Sequence, residues 1–284
     1  MTDYANPDAL VDVAWLAAHL DDPSVKTLDS SWHLPPTGRD GRSEYNAAHI
    51  PGAGYFDIDA TSDTASPLPH MLPSPEAFAD AVGGLGIGNG DHVIVYDAEG
   101  LFSAPRVWWM FRVFGHDRVS LLSGGFRAWR AAGQSVSAAT PSPAPARFEA
   151  AFRPRMVRSL ADVQATIDSG AEQVIDARAA DRFAGTTPEF RPGVRAGHIP
   201  GSTNLPFQQL TEPATGTFLP AAELEIALAS AGVDPAKPVV TSCGSGVTAC
   251  ILGLGLHLTG RDDWAVYDGS WTEWGSHPDT TVET

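Results

Sequence analysis

The chain repeats itself, and this internal repeat restricts the fold more than any other feature of the sequence. The tetrapeptide His-Ile-Pro-Gly occurs at 49–52 and again at 198–201. An apolar run that ends in an aspartate, at 93–97, is matched by a run that ends in a cysteine, at 239–243. The two offsets, 149 and 146 residues, are nearly equal. We therefore expect two copies of one unit, related by duplication with small gaps.

Within each copy, short β-branched runs alternate with helical patterns, which is typical of parallel sheets with helices on their faces. The predicted fold class is α/β, with two tandem domains that each hold a mainly parallel sheet flanked by helices. Helices are predicted to begin at Ser74-Pro75 and at Pro105, to stop at Gly115, and to carry a capping box at Ser159 and Asp162. The predicted strands are residues 27–29, 92–97, 119–123, 173–177, 238–242 and 264–267.

A proline-rich segment separates the two copies. Residues 140–145 read Thr-Pro-Ser-Pro-Ala-Pro, a stiff composition that lacks an amide donor at three positions. We predict an N-terminal domain over 1–139, a linker over 140–158 and a C-terminal domain over 159–284. A chain of 284 residues is long enough for each domain to bury its own core.

A net charge of −16 narrows the range of partners. Such a chain repels polyanions, so we expect neither nucleic acid nor a membrane surface as a partner, and an anionic substrate has to be bound by local arginines. No apolar stretch reaches the ~20 residues that span a membrane, and the acidic N-terminus does not resemble a signal peptide. Two cysteines argue against a disulfide framework. These features predict a cytoplasmic protein, and the duplicated architecture is consistent with a monomer.

Cys243 ends an apolar run and is followed by Gly-Ser-Gly-Val-Thr and a helical stretch predicted over 247–258. A strand-to-helix turn with two glycines points successive amide N–H groups inward, and the helix adds its positive end. Cysteines in such positions can have a pKa of roughly 3.5 to 7.5, which makes them nucleophiles at neutral pH. Burial as a small hydrophobe is the weaker interpretation, because packing alone needs no Gly-x-Gly turn. Cys250, inside the helix, is expected in the core. The chain is predicted to carry out sulfur chemistry.

Several segments together resemble one known family. They are the paired His-Ile-Pro-Gly segments, the loop at 243–249, Ser-Ala-Pro-Arg-Val-Trp-Trp-Met at 103–110 and Tyr-Asp-Gly-Ser-Trp at 267–271. These are similar to segments of the tandem rhodanese-domain sulfurtransferases, in particular their mercaptopyruvate branch, and the resemblance covers essentially the whole chain. It implies an N-terminal domain without a catalytic cysteine, and Asp97 stands at that position.

The resemblance also implies roles for individual side chains. Arg182 and Arg191 match the arginines that hold a substrate carboxylate and keto oxygen, a task that suits the guanidinium fork. Asp59 and His70 match residues that reach the active loop from the other domain and, with Ser245, form a serine–histidine–aspartate proton relay. The sulfur carried by the catalytic cysteine is expected to lie against the loop residues Gly244, Gly246, Val247 and Thr248.

The implied reaction has two halves. Cys243 attacks the sulfur of 3-mercaptopyruvate, pyruvate leaves, and the resulting persulfide passes its outer sulfur to a small thiol, to cyanide or to thioredoxin. The family chemistry implies no metal and no organic cofactor.

Three alternatives remain beside this interpretation. Thiosulfate sulfurtransferase activity uses the same persulfide, but that branch carries basic side chains inside the loop, as in Cys-Arg-Lys-Gly, and this loop has none. A Cys-x5-Arg phosphatase needs a guanidinium where the chain has Ala249. A non-catalytic module that only carries a persulfide for a partner is the third.

Overall fold

The computed structural model describes residues 3–284. Within them the chain forms two five-stranded sheets whose neighbouring strands all run parallel. The first sheet has the order β1-β5-β4-β2-β3 and the second the matching order β6-β10-β9-β7-β8, so the duplication is visible in the topology. The strands are β1 Leu10–Val11, β2 Val25–Asp29, β3 Gly54–Tyr55, β4 His92–Tyr96, β5 Val119–Leu122, β6 Val157–Arg158, β7 Gln173–Asp176, β8 Thr203–Asn204, β9 Val239–Ser242 and β10 Trp264–Tyr267.

Helices connect the strands in both domains, which is the arrangement that parallel pairing requires. They are α1 Val13–His19, α2 Gly41–Ala47, α3 Pro75–Gly84, α4 Ala104–Val113, α5 Gly125–Ala131, α6 Leu160–Ser169, α7 Ala180–Phe183, α8 Ala221–Ser230, α9 Ala249–Leu258 and α10 Ser270–Ser276. Short 3₁₀ helices occur at Pro7–Ala9, Pro35–Thr37, Pro154–Met156 and Phe207–Leu210.

The predicted strands and helix starts agree with these elements to within about two residues. Each of the six predicted strands is present, Ser74 caps α3 by accepting the N–H of Ala77, and the capping box at Ser159 and Asp162 is formed. The strands that sequence patterns missed are β1, β3, β6 and β8, which hold two residues each and lie at the sheet edges. Two residues cannot display a period, so no pattern was available to find them.

One apolar core joins the two domains. Helix α4 of the first domain packs on α9 of the second, and Trp108 stacks near Trp264 with ring centroids 6.2 Å apart. Two smaller clusters fill the other face of each sheet. Because α4 follows the loop after β4 and α9 follows the loop after β9, this packing brings both loops to the boundary between the domains.

The predicted linker runs along the first domain. The N–H of Ala146 donates to the carbonyl of Gly83 and that of Ala151 to Phe114, both at 2.9 Å, and Phe148 is buried in the shared core. Strand β6, which pairs with β10, lies within residues 140–158. The division into 1–139, 140–158 and 159–284 stays a prediction.

Candidate active site

Cys243 directly follows β9, is buried, and opens a loop that leads into α9. The hydroxyl of Ser270 fixes both ends of this turn, because its Oγ accepts the N–H of Cys243 at 3.2 Å and that of Gly246 at 3.1 Å. The same hydroxyl donates to the carbonyl of Tyr267 at 2.8 Å. Ser270 has a left-handed backbone, with φ 51°, which is strained for a residue with a Cβ. The turn is therefore held by the first residue of α10.

Five further N–H groups of this turn, those of residues 244, 245, 247, 248 and 249, have no acceptor within hydrogen-bonding distance in residues 3–284. The equivalent loop of the first domain shows what such groups bind. There the carboxylate of Asp97 accepts five backbone N–H bonds of 2.7 to 3.0 Å, from residues 99, 100, 102, 103 and 104. The backbone of this turn can thus surround an anion.

Both predicted substrate arginines lie beside the loop. A Cβ placed on Gly244 would stand 3.4 Å from Nη2 of Arg182 and 3.6 Å from Nη1 of Arg191. The guanidinium of Arg182 is already paired, since its Nε and Nη2 both donate to the buried carboxylate of Glu189. Glu189 also accepts from Nη1 of Arg178 at 2.8 Å. Arg182 is therefore a neutralised donor rather than a free cation.

Arg191 differs, because it forms no ion pair with any carboxylate of residues 3–284. Its Nη2 donates to Oγ of Ser245 at 3.3 Å, and its guanidinium lies over the ring of Phe190. Burial lowers the pKa of the Arg191 guanidinium from its usual value. A half-buried cation without a counter-ion is costly in a folded chain unless a ligand supplies the negative charge. The geometry therefore points to an anion beside Gly244.

The predicted relay is assembled across the domain boundary. Nδ1 of His70 lies 2.9 Å from Oγ of Ser245, and Nε2 of His70 lies 3.1 Å from Oδ1 of Asp59. With the proton on Nε2, His70 donates to Asp59 and accepts from the Ser245 hydroxyl. The hydrogen bond from His70 lowers the pKa of the Asp59 carboxyl below its usual value. Trp32 supports both partners, because its Nε1–H donates to Oδ2 of Asp59 at 3.0 Å and its ring meets His70 edge-on.

A charged residue of α4 reaches into the same region. Nη1 of the buried Arg106 donates to Oδ1 of Asp268 at 2.6 Å and to the carbonyl of Gly246 at 3.3 Å. Its Nη2 donates to the carbonyl of His70. The other oxygen of Asp268 accepts the N–H of Leu72 at 2.8 Å. One guanidinium therefore contacts the loop of one domain and the relay segment of the other.

The remaining predicted residues occupy different environments. Val247 is buried, whereas Gly244 and Thr248 are partly accessible. Gly246 has φ 77°, and a Cβ there would approach the carbonyl oxygen of Asp268 to 2.8 Å. Cys250 is a core residue as predicted: its Sγ–H donates to the carbonyl of Gly246 at 3.2 Å, and burial raises the pKa of its thiol. The helix predicted over 247–258 begins at Ala249, since the loop occupies the two preceding residues.

Three site residues carried no assigned role at the level of sequence: Arg106, Glu189 and Ser270. Arg106 had a readable signal, since it is a lone charge in the apolar run 103–110 at a position that faces the core. Ser270 lies in the segment 267–271 that supported the family resemblance, but its left-handed backbone is not legible from the residue type. Glu189 could not be paired with an arginine without the fold.

No helix in residues 3–284 combines the length and apolar character needed to cross a membrane. In that same part of the chain, the side chains of His, Cys, Asp and Glu form no group of three or more that could hold a metal ion.

Comparisons with known proteins agree with this architecture. The rhodanese-like domain family matches residues 12–132 and again 159–277. A human 3-mercaptopyruvate sulfurtransferase is 47% identical over 272 residues, which cover 94% of this chain and 91% of the human protein. An Arabidopsis thaliana protein named thiosulfate/3-mercaptopyruvate sulfurtransferase 1, mitochondrial, is 45% identical over 98% of this chain and 78% of its own length. The crystal structure of SseA from Escherichia coli, described as a 3-mercaptopyruvate sulfotransferase, superposes with a TM-score of 0.85 at 41% identity, covering 93% of this chain and 98% of that one.

The chain belongs to the rhodanese family and contains two rhodanese-like domains, one in each half. The predicted resemblance and the α/β fold class are therefore confirmed.

Proposed function

We propose that this protein is a sulfurtransferase that takes sulfur from 3-mercaptopyruvate, carries it as a persulfide on Cys243, and releases pyruvate. The observation that supports this most directly is Arg191, a half-buried guanidinium that pairs with no carboxylate of residues 3–284 and lies beside a loop that begins with a buried thiol. An α-keto acid offers the missing negative charge. Relatives named for sulfur transfer, 45% and 47% identical over most of the chain, support the same reaction class.

In the first half-reaction the Cys243 thiolate attacks the sulfur of 3-mercaptopyruvate. The new S–S bond forms as the carbon–sulfur bond breaks, and the electron pair leaves as the enolate of pyruvate, which is then protonated at carbon. Arg191 holds the carboxylate, while Arg182, whose charge Glu189 already neutralises, donates a hydrogen bond to the keto oxygen where negative charge develops. The hydrogen-bonded relay of Ser245, His70 and Asp59 supplies the proton that the enolate takes up.

In the second half-reaction an acceptor thiolate or cyanide attacks the outer sulfur of the persulfide and regenerates Cys243. The outer sulfur lies against the N–H groups of Ser245, Thr248 and Ala249, which stabilise its negative charge. Release of pyruvate before the acceptor binds gives ping-pong kinetics. The partners of the protein are thus a small-molecule sulfur donor and a sulfur acceptor.

Thiosulfate is the second candidate donor, and the Arabidopsis relative is named for both substrates. Thiosulfate is a dianion, whereas the loop 243–249 has no basic side chain and Arg182 is neutralised. We expect kcat/KM to be higher for 3-mercaptopyruvate than for thiosulfate. Steady-state assays with both donors test this, and a higher value for thiosulfate would reverse the assignment.

Intact-mass measurement separates an enzyme from a persulfide carrier. Incubation with 3-mercaptopyruvate should add one sulfur atom to the wild-type chain and none to Cys243→Ser, and a simple thiol acceptor should sustain pyruvate release over many turnovers. Sulfur loading without turnover would mean that the chain only carries sulfur for a partner.

We further propose thioredoxin as a protein acceptor, a monomeric state and a cytoplasmic location. The net charge and the completeness of the site within one chain support the monomer. Light scattering on the purified protein tests the monomer, and the rate with reduced thioredoxin against an equal thiol concentration of a small thiol tests the acceptor. The Arabidopsis relative is named mitochondrial, so cell fractionation is the test of location.

A further inference from the structure

Arg106 is a fully buried charge at the domain boundary, and it lies outside the set of groups that would touch the substrate. Its guanidinium contacts three groups: the carboxylate of Asp268, the carbonyl of Gly246 in the Cys243 loop, and the carbonyl of His70. The first two belong to the C-terminal domain and the third to the N-terminal domain. The guanidinium therefore links the nucleophile's loop to the relay through a single rigid group.

We propose that Arg106 is a positioning residue for sulfur transfer, which holds the Cys243 loop and His70 in register across the domain boundary. The inference rests on the proposed function, because it concerns the geometry of that reaction. His70 has a left-handed backbone, with φ 62°, so its segment does not adopt this conformation without support. The carbonyl of His70 is the group that Arg106 binds.

Stability alone is a weak reason for a charge at this position. Burial of a guanidinium and a carboxylate costs free energy that their attraction offsets only in part, and apolar replacement of both partners is often neutral or stabilising. The surroundings suit an apolar side chain, since Arg106 lies over the ring of Trp109 and its Nε has no hydrogen-bond acceptor in residues 3–284. What an apolar side chain cannot do is bind the two carbonyls.

Through Arg106, the N-terminal domain, which lacks a cysteine, contacts the Cys243 loop of the other domain directly. A Cβ on Gly246 would stand 2.9 Å from Nη1 of Arg106, so the loop and the guanidinium are in close contact. Asp268, the ion-pair partner of Arg106, lies two residues before Ser270, which holds the two ends of the turn. A displacement of about 1 Å at a reacting group can lower a rate on the order of 100-fold.

Arg112 provides a matched control on the same helix. It lies six residues further along the chain, its guanidinium is over the ring of Trp108, and its Nε also lacks an acceptor in the part of the chain described. It contacts Asp117 rather than the loop or the relay. Arg106→Met and Arg112→Met therefore both remove a guanidinium that lies over a tryptophan ring of α4, although the Arg106 side chain is fully buried and that of Arg112 is 17% exposed. Their connections to the site differ.

The test uses the full chain and combines kinetics with hydrogen exchange. For Arg106→Met we expect kcat with 3-mercaptopyruvate to fall at least about 10-fold while KM changes by less than about 3-fold, because Arg182 and Arg191 are untouched. Amide exchange in the peptide over 243–250 should become at least about 10-fold faster, since the contact of Arg106 with Gly246 is lost and Ser270 then opposes opening of the turn without it. Arg112→Met should keep wild-type kcat and wild-type exchange in that peptide.

Arg106→Met leaves the carboxylate of Asp268 buried without its cation, which can prevent folding. The variant Arg106→Met/Asp268→Asn removes both charges and keeps an acceptor for the N–H of Leu72. If Arg106 only stabilises the fold, this double variant recovers wild-type kcat, and the proposal is then wrong. If Arg106 positions the site, kcat stays low in a folded protein.

The outcome is separable from that of the proposed function. A wild-type chain that transfers no sulfur would refute the function, and hydrogen exchange at 243–250 would still decide whether Arg106 holds the loop. Wild-type exchange rates there in Arg106→Met, or a loss of kcat that Arg112→Met matches, would overturn the positioning role.

Discussion

The two loops that follow β4 and β9 share one backbone design and differ in what it surrounds. In both, the first residue of the loop accepts through its carbonyl from a helix start: Phe126 donates to Asp97 and Trp271 to Cys243, each at 2.9 Å. In both, the residue before that donor has a left-handed backbone, with φ 56° at Gly125 and 51° at Ser270. In the first loop five N–H groups donate to the loop's own carboxylate, whereas in the second loop five N–H groups have no acceptor among residues 3–284.

The difference shows how one turn serves structure in one domain and chemistry in the other. Asp97 is a buried carboxyl that accepts the N–H groups of its own loop; burial raises the pKa of this carboxyl, and the backbone N–H groups oppose that shift. Cys243 has a smaller side chain that can be extended by one sulfur atom, which then takes the place of the carboxylate oxygens. The Ser270 hydroxyl accepts the N–H groups of two loop residues, whereas Gly125, at the equivalent position of the first domain, has no side chain that could do so. The N-terminal domain thus places His70 and Asp59 beside the loop of the other domain, while its own loop is closed around Asp97.

The largest expected effect comes from moving the thiol between the loops. Cys243→Ser should lower pyruvate release at least about 10³-fold, since removal of a nucleophile eliminates the covalent route. Adding Asp97→Cys to that variant restores a thiol at the equivalent position, but Arg191 and His70 remain at the other loop. We expect no recovery in steady-state assays. Recovery above the Cys243→Ser background would show that the two loops are interchangeable and would contradict the comparison.

The next largest effect concerns Arg182 and Arg191, which lie beside the second loop and not beside the first. Arg191→Met should raise KM for 3-mercaptopyruvate and lower kcat/KM by roughly 10- to 150-fold, because a charge-assisted hydrogen bond contributes about 1.5–3 kcal/mol. Arg182→Met should act mainly on kcat and by about 10-fold, since Glu189 already neutralises it. Michaelis–Menten analysis of both variants decides the assignment. A larger rise in KM for Arg182→Met would exchange the two roles.

The sequence predicted the central parts of this comparison because they rest on long patterns. Strands β2, β4, β5, β7, β9 and β10 carry apolar runs that can be read directly, and the repeat fixed the correspondence between Asp97 and Cys243. The two-residue edge strands were invisible, since their pairing depends on neighbours and not on their own composition. The presence of the longer central strands was therefore more predictable than the number of strands in each sheet.

The residues of the site likewise fall into those that the sequence predicted and those that it did not. Cys243 was marked by its glycines, and the relay of Asp59, His70 and Ser245 was suggested by the family resemblance. The connections between residues distant in sequence could not be read: Glu189 neutralises Arg182, Arg106 spans the domains, and Ser270 closes the turn. Each of these depends on a contact that exists only after two elements pack, so no local pattern encodes it.

A smaller effect, on stability, is expected from a substitution at the glycine that both loops contain. Each has a left-handed glycine, Gly100 with φ 123° and Gly246 with φ 77°. Gly246→Ala should lower the free energy of unfolding by about 2–3 kcal/mol, because the backbone strain adds to a contact of 2.8 Å with the carbonyl of Asp268. Gly52→Ala is the control, with φ 78° and open space around its Cβ, and should cost only about 1 kcal/mol. Equal losses in urea unfolding would mean that the close approach does not constrain the loop.

The smallest effect comes from the N-terminal domain's contribution to the relay. The pKa of Asp59 is lowered from its usual 3.8, mainly by the hydrogen bond from His70, so its carboxylate stabilises the fold above that value. This stabilisation is lost as pH falls through the lowered pKa. The carboxylate is largely exposed, which limits the contribution to a few tenths of a kcal/mol. Between about pH 5 and pH 2, wild type should therefore lose slightly more stability in urea unfolding than Asp59→Asn does.

Asp21→Asn, a change at an exposed carboxylate without a hydrogen bond or ion pair among the described residues, should follow the wild-type curve. Parallel curves for Asp59→Asn and wild type would mean that His70 does not favour the ionised form of Asp59, and the relay would then lack its acidic member.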